Sequence, residues 1–513
     1  MRVMGDVVRL NAKRYPDKIA LMTEGEKLTY RELSSRCNRA ANGLLASGVR
    51  PGDRVAVFAL NCLDYVPVVY AILTCGAVCV PVNFRYKSDE LVYAINNSTP
   101  KVLFHDRRLA ETVASVASQG PSPIQLIAMS GDALPGGRTM ADLTEGRPPD
   151  PPSVEVDPAS AAFIMYTSGT TGFPKGVLFS HHAYLQVAAG LVYEGDVRHD
   201  DVMLCTLPLF HNGGINAMVL PALMVGGACY IHSGSFDPDT ILGIVQNYRV
   251  TVTMWVPTML AKLVNDPAVR KYDCSSLKKI WYGSSAISPT TLDAAREIFK
   301  AAFYQWYGQT ETGMVSVLRP EDHSEHSQFT GREIYNAEIR VVDEYMNDTP
   351  VGEVGEIVTV QKGLGMIGYY NMPQATEKAV RDGWIHTEDL ARVEEGGYFT
   401  IVDRLRDMII SGAENIYPKE IEDIIATHPG VLEAAVFGIP DDMWGEVVCA
   451  SVVPKQGASL DEKEIIEFCA SRMAGFKKPK RVEFRDDLPK NAAGKVTKNP
   501  LREPYWAGRA KRV

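Results

Sequence analysis

Tyr166-Thr167-Ser168-Gly169-Thr170-Thr171-Gly172-Phe173-Pro174-Lys175-Gly176 concentrates glycine, hydroxyl and one ammonium in a single short stretch. The apolar residues 161–165 before it read as a strand, which puts this polar segment at a strand's carboxyl end. Gly169, Gly172 and Gly176 permit sharp turns and close backbone approach, Thr167, Ser168, Thr170 and Thr171 supply donors, and Lys175 adds positive charge. A loop of amides, hydroxyls and one cation suits a polyphosphate. The spacing is not that of the common P-loop, whose glycine-to-Gly-Lys-Ser/Thr pattern is missing. A plain polar surface turn would not call for so many of these residues together.

The surrounding 513 residues, 46% of them hydrophobic, exceed one ordinary domain and supply ample core. A formal charge of -9 gives no global reason to bind nucleic acid. Residues 470–513 depart from that balance, with thirteen Lys or Arg against four Asp or Glu, a local positive region that an anionic cofactor or simply water can face. The nine cysteines show no metal-knuckle spacing, and Cys75 and Cys79 sit in an apolar run that suits buried thiols. A cytoplasmic protein, with peripheral membrane association as a further option, is expected. The first residues lack the apolar core of a secretion signal, and no apolar run reaches bilayer-spanning length.

Outward from the opening stretch the chain alternates. Thr29 and Glu32 make a capping box ahead of a helical pattern at Leu33, Cys37, Ala40, Ala41 and Leu44. Residues 55–60 read as a strand, 65–73 as a helix and 78–82 as a strand, which favours α/β layering with a parallel sheet. The Gly- and Pro-rich residues 131–152 read as a linker, and residues after about 331, with the alternating strand 354–360, as a smaller β-rich unit. The fold class expected is α/β: a large N-terminal domain of layered sheets with a β-rich subdomain, and a small mobile C-terminal α+β domain. The boundaries are 1–403, a charged hinge at 404–408, and 409–513.

Four further segments can carry chemistry. Residues 304–313 set Tyr307 and Gly308 beside Thr310 and Glu311: a ring to cover a base or an apolar substrate, a hydroxyl donor, and a hard oxygen ligand for magnesium. Asp389 can accept two ribose hydroxyls, and Arg404 lies fifteen residues on with a rigid donor fork, although without the other motifs a surface Asp and a solvent salt bridge is the preferred reading. Lys495, in a glycine-containing basic turn, can stabilise charge on a phosphoryl group and its attacking carboxylate. His211 follows an apolar strand ahead of Gly213 and Gly214 and can line or gate an acyl pocket; it has no acidic neighbour in sequence, which argues against a Ser-His-Asp hydrolase. The other histidines offer no convincing metal set.

Taken in order, these motifs resemble the adenylate-forming superfamily, specifically its AMP-forming acyl-CoA synthetases, and the resemblance covers nearly the whole chain. It implies that residues 166–176 are the phosphate loop, that Tyr307 to Glu311 is the aromatic and magnesium-associated segment, that Asp389 and Arg404 hold ribose, and that Lys495 is the mobile adenylation lysine. The implied cofactors are ATP, Mg2+ and CoA. The implied reaction forms acyl-adenylate and pyrophosphate, then acyl-CoA and AMP as CoA thiolate attacks, with the C-terminal domain turning between the halves. Gly412, within residues 411–415, would approach the thiol channel, and Lys477 and Lys478 would contact CoA phosphates. Gly283, Ser284 and Ser285 stand where relatives carry a Gly-Gly/Ala-Ala-Pro-like segment near adenine and acyl group. Two more departures are Arg406 in place of the hinge Asp or Lys, and Thr387-Glu388 in place of Thr-Gly before the ribose acid.

The segments expected to line the acyl site (Met254 and Trp255, residues 211–214, residues 281–285, Met314 and Val315) are aromatic, small or apolar, although Trp281 suits a place in the core at least as well. They favour a medium- or long-chain fatty acid first and an aromatic or alicyclic acid second. A luciferase-like adenylating oxygenase is a further enzyme reading and a non-enzymatic binding protein the distant one. A homo-oligomer, a dimer first, is expected. Because Lys495 belongs to the first half-reaction alone, Lys495→Ala is expected to depress adenylate formation strongly while sparing thioester formation from supplied acyl-adenylate. Equal loss in both half-reactions with folding intact would oppose that role.

Overall fold

The Thr29 hydroxyl accepts from the Glu32 amide at 3.2 Å and the Glu32 carboxylate accepts from the Thr29 amide at 2.8 Å, so the capping box starts the helix Tyr30–Ala46 as expected. The computed structural model describes residues 1–119, 124–167, 174–285, 287–411, 414–490 and 496–507. Two compact units emerge: Met1–Ser327 with Gly331–Ile339 and Thr359–Ile385, and Gln328–Thr330 with Arg340–Val358 and His386–Val513.

The first unit holds two sheets. In one, Arg54–Phe58 runs parallel to both Val78–Pro81 and Val102–His105, joined by helices such as Tyr65–Thr74, whose apolar side chains are buried nearly all round. The Val78–Pro81 side of that sheet continues through Ala161–Thr167 and Lys175–Ser180 to the short edge strand Gly368–Tyr369. In the other, Val202–Cys205, Val252–Met254, Lys279–Gly283 and Ala302–Gln309 lie side by side in parallel, and Gly313–Leu318 adds antiparallel. The parallel βαβ reading of the sequence therefore holds for both sheets.

Residues 131–152 differ from the expected linker. They form the strand Arg138–Thr139 and the helix Met140–Thr144, and the segment that follows is fastened to the first long helix by Asn38, which donates to the Pro149 carbonyl at 2.7 Å, and Asn42, which donates to that of Asp150 at 3.0 Å. Proline and glycine suppress regular structure there without ending the domain, because asparagine side chains take up the exposed carbonyls.

The second unit contains the antiparallel pairing of residues 389–393 with Phe399–Arg404, then a sheet in which Gly445–Pro454 is flanked by Val431–Asp441 and Arg481–Phe484. Gly445–Pro454 is buried on both faces. Val448, Ala450 and Val452 pack with Ile421, Ile425 and Ile465 on one side, while Val447, Cys449 and Val453 pack with Leu488 and Leu501 on the other. Two-residue alternation along one strand thus feeds two cores. Among the described residues no helix is long and apolar enough to cross a membrane. All nine cysteines are free thiols, Cys75 and Cys79 buried among them.

The helix His181–Glu194 leaves the strand Lys175–Ser180 directly, capped by Ser180, whose hydroxyl accepts from the Ala183 amide at 3.0 Å. It packs against Gly313–Leu318 and so ties the two sheets together. His181 in its first turn is fully buried, with Nδ1 accepting from the Met4 amide at 3.4 Å, and burial lowers its pKa to about 4. The unfolded chain takes up this proton below about pH 6.5, where the native imidazole does not. The stability it contributes is complete above that pH and drains away as pH falls toward 4. Urea unfolding at pH 7 and pH 4.5 is expected to show a loss of about 2 to 3 kcal/mol from this group, seen as a flatter pH slope in His181→Gln.

Candidate active site

Thr167 and Lys175 face each other across the antiparallel pair Ala161–Thr167 and Lys175–Ser180, and the Thr167 hydroxyl donates to the Lys175 carbonyl at 3.4 Å. The mouth of the predicted phosphate loop is therefore set by sheet register. Ser168, Gly169, Thr170, Thr171 and Gly172 lie outside the described residues.

Thr310 and Glu311 occupy the turn between Ala302–Gln309 and Gly313–Leu318, both half-buried. That turn is stiff: the Gln309 amide donates to the Thr312 hydroxyl at 2.9 Å, which donates to the Gly313 carbonyl at 2.8 Å. Gly308 has no alternative, since a Cβ there would stand 1.9 Å from the Gly313 carbonyl oxygen; a bulge falls between Tyr307 and Gly308. Tyr307 itself is buried.

Tyr369, which the sequence did not single out, joins these two elements. Its strand pairs with Lys175–Ser180 in the register Tyr369↔Val177, and the Tyr370 amide donates to the Gly176 carbonyl at 2.8 Å. Its hydroxyl donates to Glu311 Oε1 at 2.9 Å, and Lys175 Nζ sits over its ring, 4.8 Å from the centroid. Lys175, Tyr369 and Glu311 thus form one continuous polar cluster. The only sequence signal was the pair of tyrosines after Gly368.

Gly283 closes the strand Lys279–Gly283 so near its neighbour that a Cβ would lie 2.2 Å from the Trp306 carbonyl oxygen. Ser284 follows with φ +70°, and Ser284 and Ser285 point exposed hydroxyls from the strand's carboxyl end. The expected aromatic lining is smaller than the sequence suggested. Trp255 is fully buried against Phe299 in the core, and Trp281, also fully buried, packs on Trp306 at 5.3 Å. Large rings on central strands fill the space between sheet and helices first. His211 is half-buried; Nδ1 accepts from the Gly213 amide at 3.1 Å and caps a helical turn, and burial lowers its pKa, which keeps it neutral.

In the second unit Asp389 and Arg404 are register partners, and Arg404 Nε meets Asp389 Oδ1 at 3.0 Å. The strand kinks before them. Glu388 adopts φ +56°, a left-handed conformation in which glycine is at ease and glutamate is strained. The kink is held by the Glu388 amide donating to Glu356 Oε1 at 3.0 Å, the Asp389 amide donating to the Thr387 hydroxyl at 3.1 Å, and the Leu405 amide donating to the Glu388 carbonyl at 2.8 Å. The less permissive turn expected from Thr387-Glu388 is made, and paid for by these bonds.

Next to it stands a charged cluster. Burial raises the Asp403 carboxyl pKa against the pull of Lys498 and of the Lys419 and Arg404 amides. Burial opposes the Lys498 charge, yet Glu422, at 2.8 Å, together with Asp403 and Asp407, raises its pKa. Arg406 is lowered by burial first and then by Arg404. Arg502 donates to the Arg406 carbonyl at 3.4 Å. Lys477 is paired with Glu420 at 2.8 Å, Lys478 is half-buried in the adjacent turn, and Gly412 and Lys495 lie outside the described residues.

The donor set fits magnesium nucleotide: Glu311 is a carboxylate suited to a hard cation, and Lys175 is a cation suited to phosphate. Among the described residues no cluster of three or more His, Cys, Asp or Glu could hold a metal by itself, so an ion here would take ligands from phosphate and water as well.

Residues 8–370 match the AMP-binding enzyme family and residues 420–495 the AMP-binding enzyme C-terminal domain. A feruloyl-CoA synthase from an Amycolatopsis species is 40% identical over 96% of this chain and 97% of its own. The fatty acid–[acyl-carrier-protein] ligase ScoC of Streptomyces coeruleorubidus is 32% identical over 100% of this chain and 98% of its own. Crystalline ATP-bound MatB from Rhodopseudomonas palustris superposes with a TM-score of 0.89 at 33% identity, covering 97% of this chain and 99% of that one.

Removing Arg404 takes an ion-pair partner from a buried carboxylate. Arg404→Ala is expected to cost about 2 kcal/mol, read as a lowered Tm, and part of the loss should return when Asp389→Asn is added, since the charge that Arg404 balanced is then gone.

Proposed function

We propose that this chain, which belongs to the AMP-binding enzyme family and is an AMP-forming acyl-CoA ligase using ATP, Mg2+ and CoA, activates an aromatic acid of the hydroxycinnamate class. The observation that carries the site assignment is the cluster Lys175, Tyr369 and Glu311, a phosphate-seeking cation and a metal-seeking carboxylate fixed on adjoining elements. Support for an aromatic acid comes from 40% identity with the feruloyl-CoA synthase against 32% with the fatty acid ligase. The exposed Ser284 and Ser285 hydroxyls agree with it, because a hydroxylated ring offers them partners and an alkyl chain does not. A fatty acid, first in order from the sequence, is the second reading.

In this reading the loop 166–176 and Lys175 take the triphosphate, and Glu311 holds the magnesium ion, whose charge offsets that of the phosphates when bound. Asp389 accepts from the ribose hydroxyls while Arg404 fixes its carboxylate. The substrate carboxylate attacks the α-phosphate and expels pyrophosphate, with Lys495 stabilising the added negative charge. CoA thiolate then attacks the acyl carbon and AMP leaves. Residues 404–408 form the hinge, and the buried cluster of Asp403, Glu422, Lys498 and Arg502 braces it from the C-terminal side.

The test is a panel of ferulate, cinnamate, benzoate, octanoate and palmitate with ATP and CoA, following AMP and thioester mass together. The expected result is the highest kcat/KM for a hydroxycinnamate with equal AMP and thioester. A higher value for either fatty acid would reverse the order of the two readings; light emission with oxygen would favour the oxygenase, and no AMP with any acid would remove the ligase.

A further inference from the structure

Residues 212–225 form one helical run whose pitch changes inside it. Asn212–Gly214 is α-helical, Ile215–Val219 is wound as a π-helix, and Leu220–Val225 is α-helical again. The Leu220 amide donates to the Ile215 carbonyl, five residues back, which is the bond of the wider turn. Pro221 explains the widening: it has no N–H for the Ala217 carbonyl four residues back, and in a regular helix its ring would crowd that oxygen. Wide turns of this kind are rare and recur at functional sites.

Four residues of the turn, Ile215, Ala217, Met218 and Val219, are apolar and buried; the fifth is Asn216, 1% exposed. A buried carboxamide costs free energy unless it is bonded, and leucine would fill the same place without that cost. The bond that Asn216 makes is to the residue one turn back: Nδ2 donates to Asn212 Oδ1 at 3.0 Å. Asn212 is half-buried and stands next to His211, at the head of the segment read as acyl lining.

Both side chains at that head are oriented by bonds within the chain. Asn216 occupies the acceptor end of the Asn212 carboxamide, which leaves the Nδ2 end, a double donor, for a ligand. The Gly213 amide occupies His211 Nδ1 at 3.1 Å, and burial keeps the imidazole neutral, so its proton is on Nε2. Adjacent residues therefore carry a carboxamide N–H and an imidazole N–H.

We infer that Asn216 is a positioning residue that presents the donor end of Asn212 to the acyl group, where together with His211 Nε2–H it favours a ring carrying oxygen acceptors, such as hydroxyl and methoxy oxygens, over a bare ring. The inference rests on the reading of residues 211–214 as acyl lining.

The readout is the ratio of kcat/KM for ferulate to that for cinnamate, two acids that share a skeleton and differ in their ring oxygens. Asn212→Leu deletes the donor and is expected to lower the ratio about fivefold, as for loss of one hydrogen bond, through KM for ferulate and with KM for ATP unchanged. Asn216→Leu, which releases Asn212, should lower the ratio by a smaller factor and add nothing when combined with Asn212→Leu, because it acts only through Asn212. Asn216→Ser, whose shorter side chain withdraws the Nδ2 donor, serves if Asn216→Leu folds poorly. A mere packing defect would lower kcat/KM for both acids alike. If Asn212→Leu leaves the ratio unchanged, the donor assignment falls; if it lowers the ratio while the Asn216 variants do not, or if the two effects add, the positioning role alone is overturned. The order of ferulate and palmitate in the acid panel tests the substrate reading separately, since the ratio compares two aromatic acids only.

Discussion

Antiparallel pairing of the strand Lys175–Ser180 with two partners, Ala161–Thr167 on one side and Gly368–Tyr369 on the other, is the constraint on which the candidate site of the first unit depends. Pairing fixes register, and register fixes which face each side chain takes. Thr167 opposite Lys175 fixes the two strand ends that flank residues 168–173; Tyr369 opposite Val177 sets where the phenol points. A slip of one residue would turn Tyr369 to the other face and break its contact with both charges. Such a short strand cannot hold register alone, so the Thr376 hydroxyl and the Met366 and Tyr370 backbone bonds pin it.

The second unit meets a different problem with the same means. Asp389 is nearly buried, and its register partner Arg404 supplies the countercharge. Geometry demands a kink immediately before it, and Glu388 accepts a left-handed backbone to provide it. The strain persists because Glu356, Thr387 and Leu405 fix the surrounding backbone groups. The chain then turns through Asp403, Arg404, Arg406 and Asp407, where burial works against the charges of Asp403 and Arg406 while Glu422, Asp403 and Asp407 together uphold that of Lys498.

Much of this was legible in the sequence, and the parts that were not share a cause. The parallel strands, the capping box at Thr29 and the alternating strand Val354–Val360 each repeat a local pattern often enough to be read. Tyr369 left no such trace, since a two-residue strand has no period and its partners lie far away in the chain. Trp255 and Trp281 were ambiguous for another reason: an aromatic residue on a central strand serves a pocket or a core equally well, and only the packing of Phe299 and Trp306 decides for the core. Residues 131–152 looked like a linker because composition reports the lack of regular structure, while the asparagine contacts that bind them to the domain are tertiary.

The segment bearing Lys495 shows how far these constraints reach. Residues 491–495 lie outside the described set, yet both flanks are fixed. On one side Leu488 is buried in the core beneath Gly445–Pro454 and Lys490 is paired with Glu433 at 2.8 Å; on the other Val496 and Leu501 pack into that core and Lys498 meets Glu422 at 2.8 Å. Lys490 and Val496 are themselves bridged. The same flank reaches the turn at 403–407: Lys498 feels the charges of Asp403 and Asp407, and Arg502 donates to the Arg406 carbonyl and pairs with Asp407, so the chain after residue 495 is tied at once to the sheet of Gly445–Pro454 and to that turn.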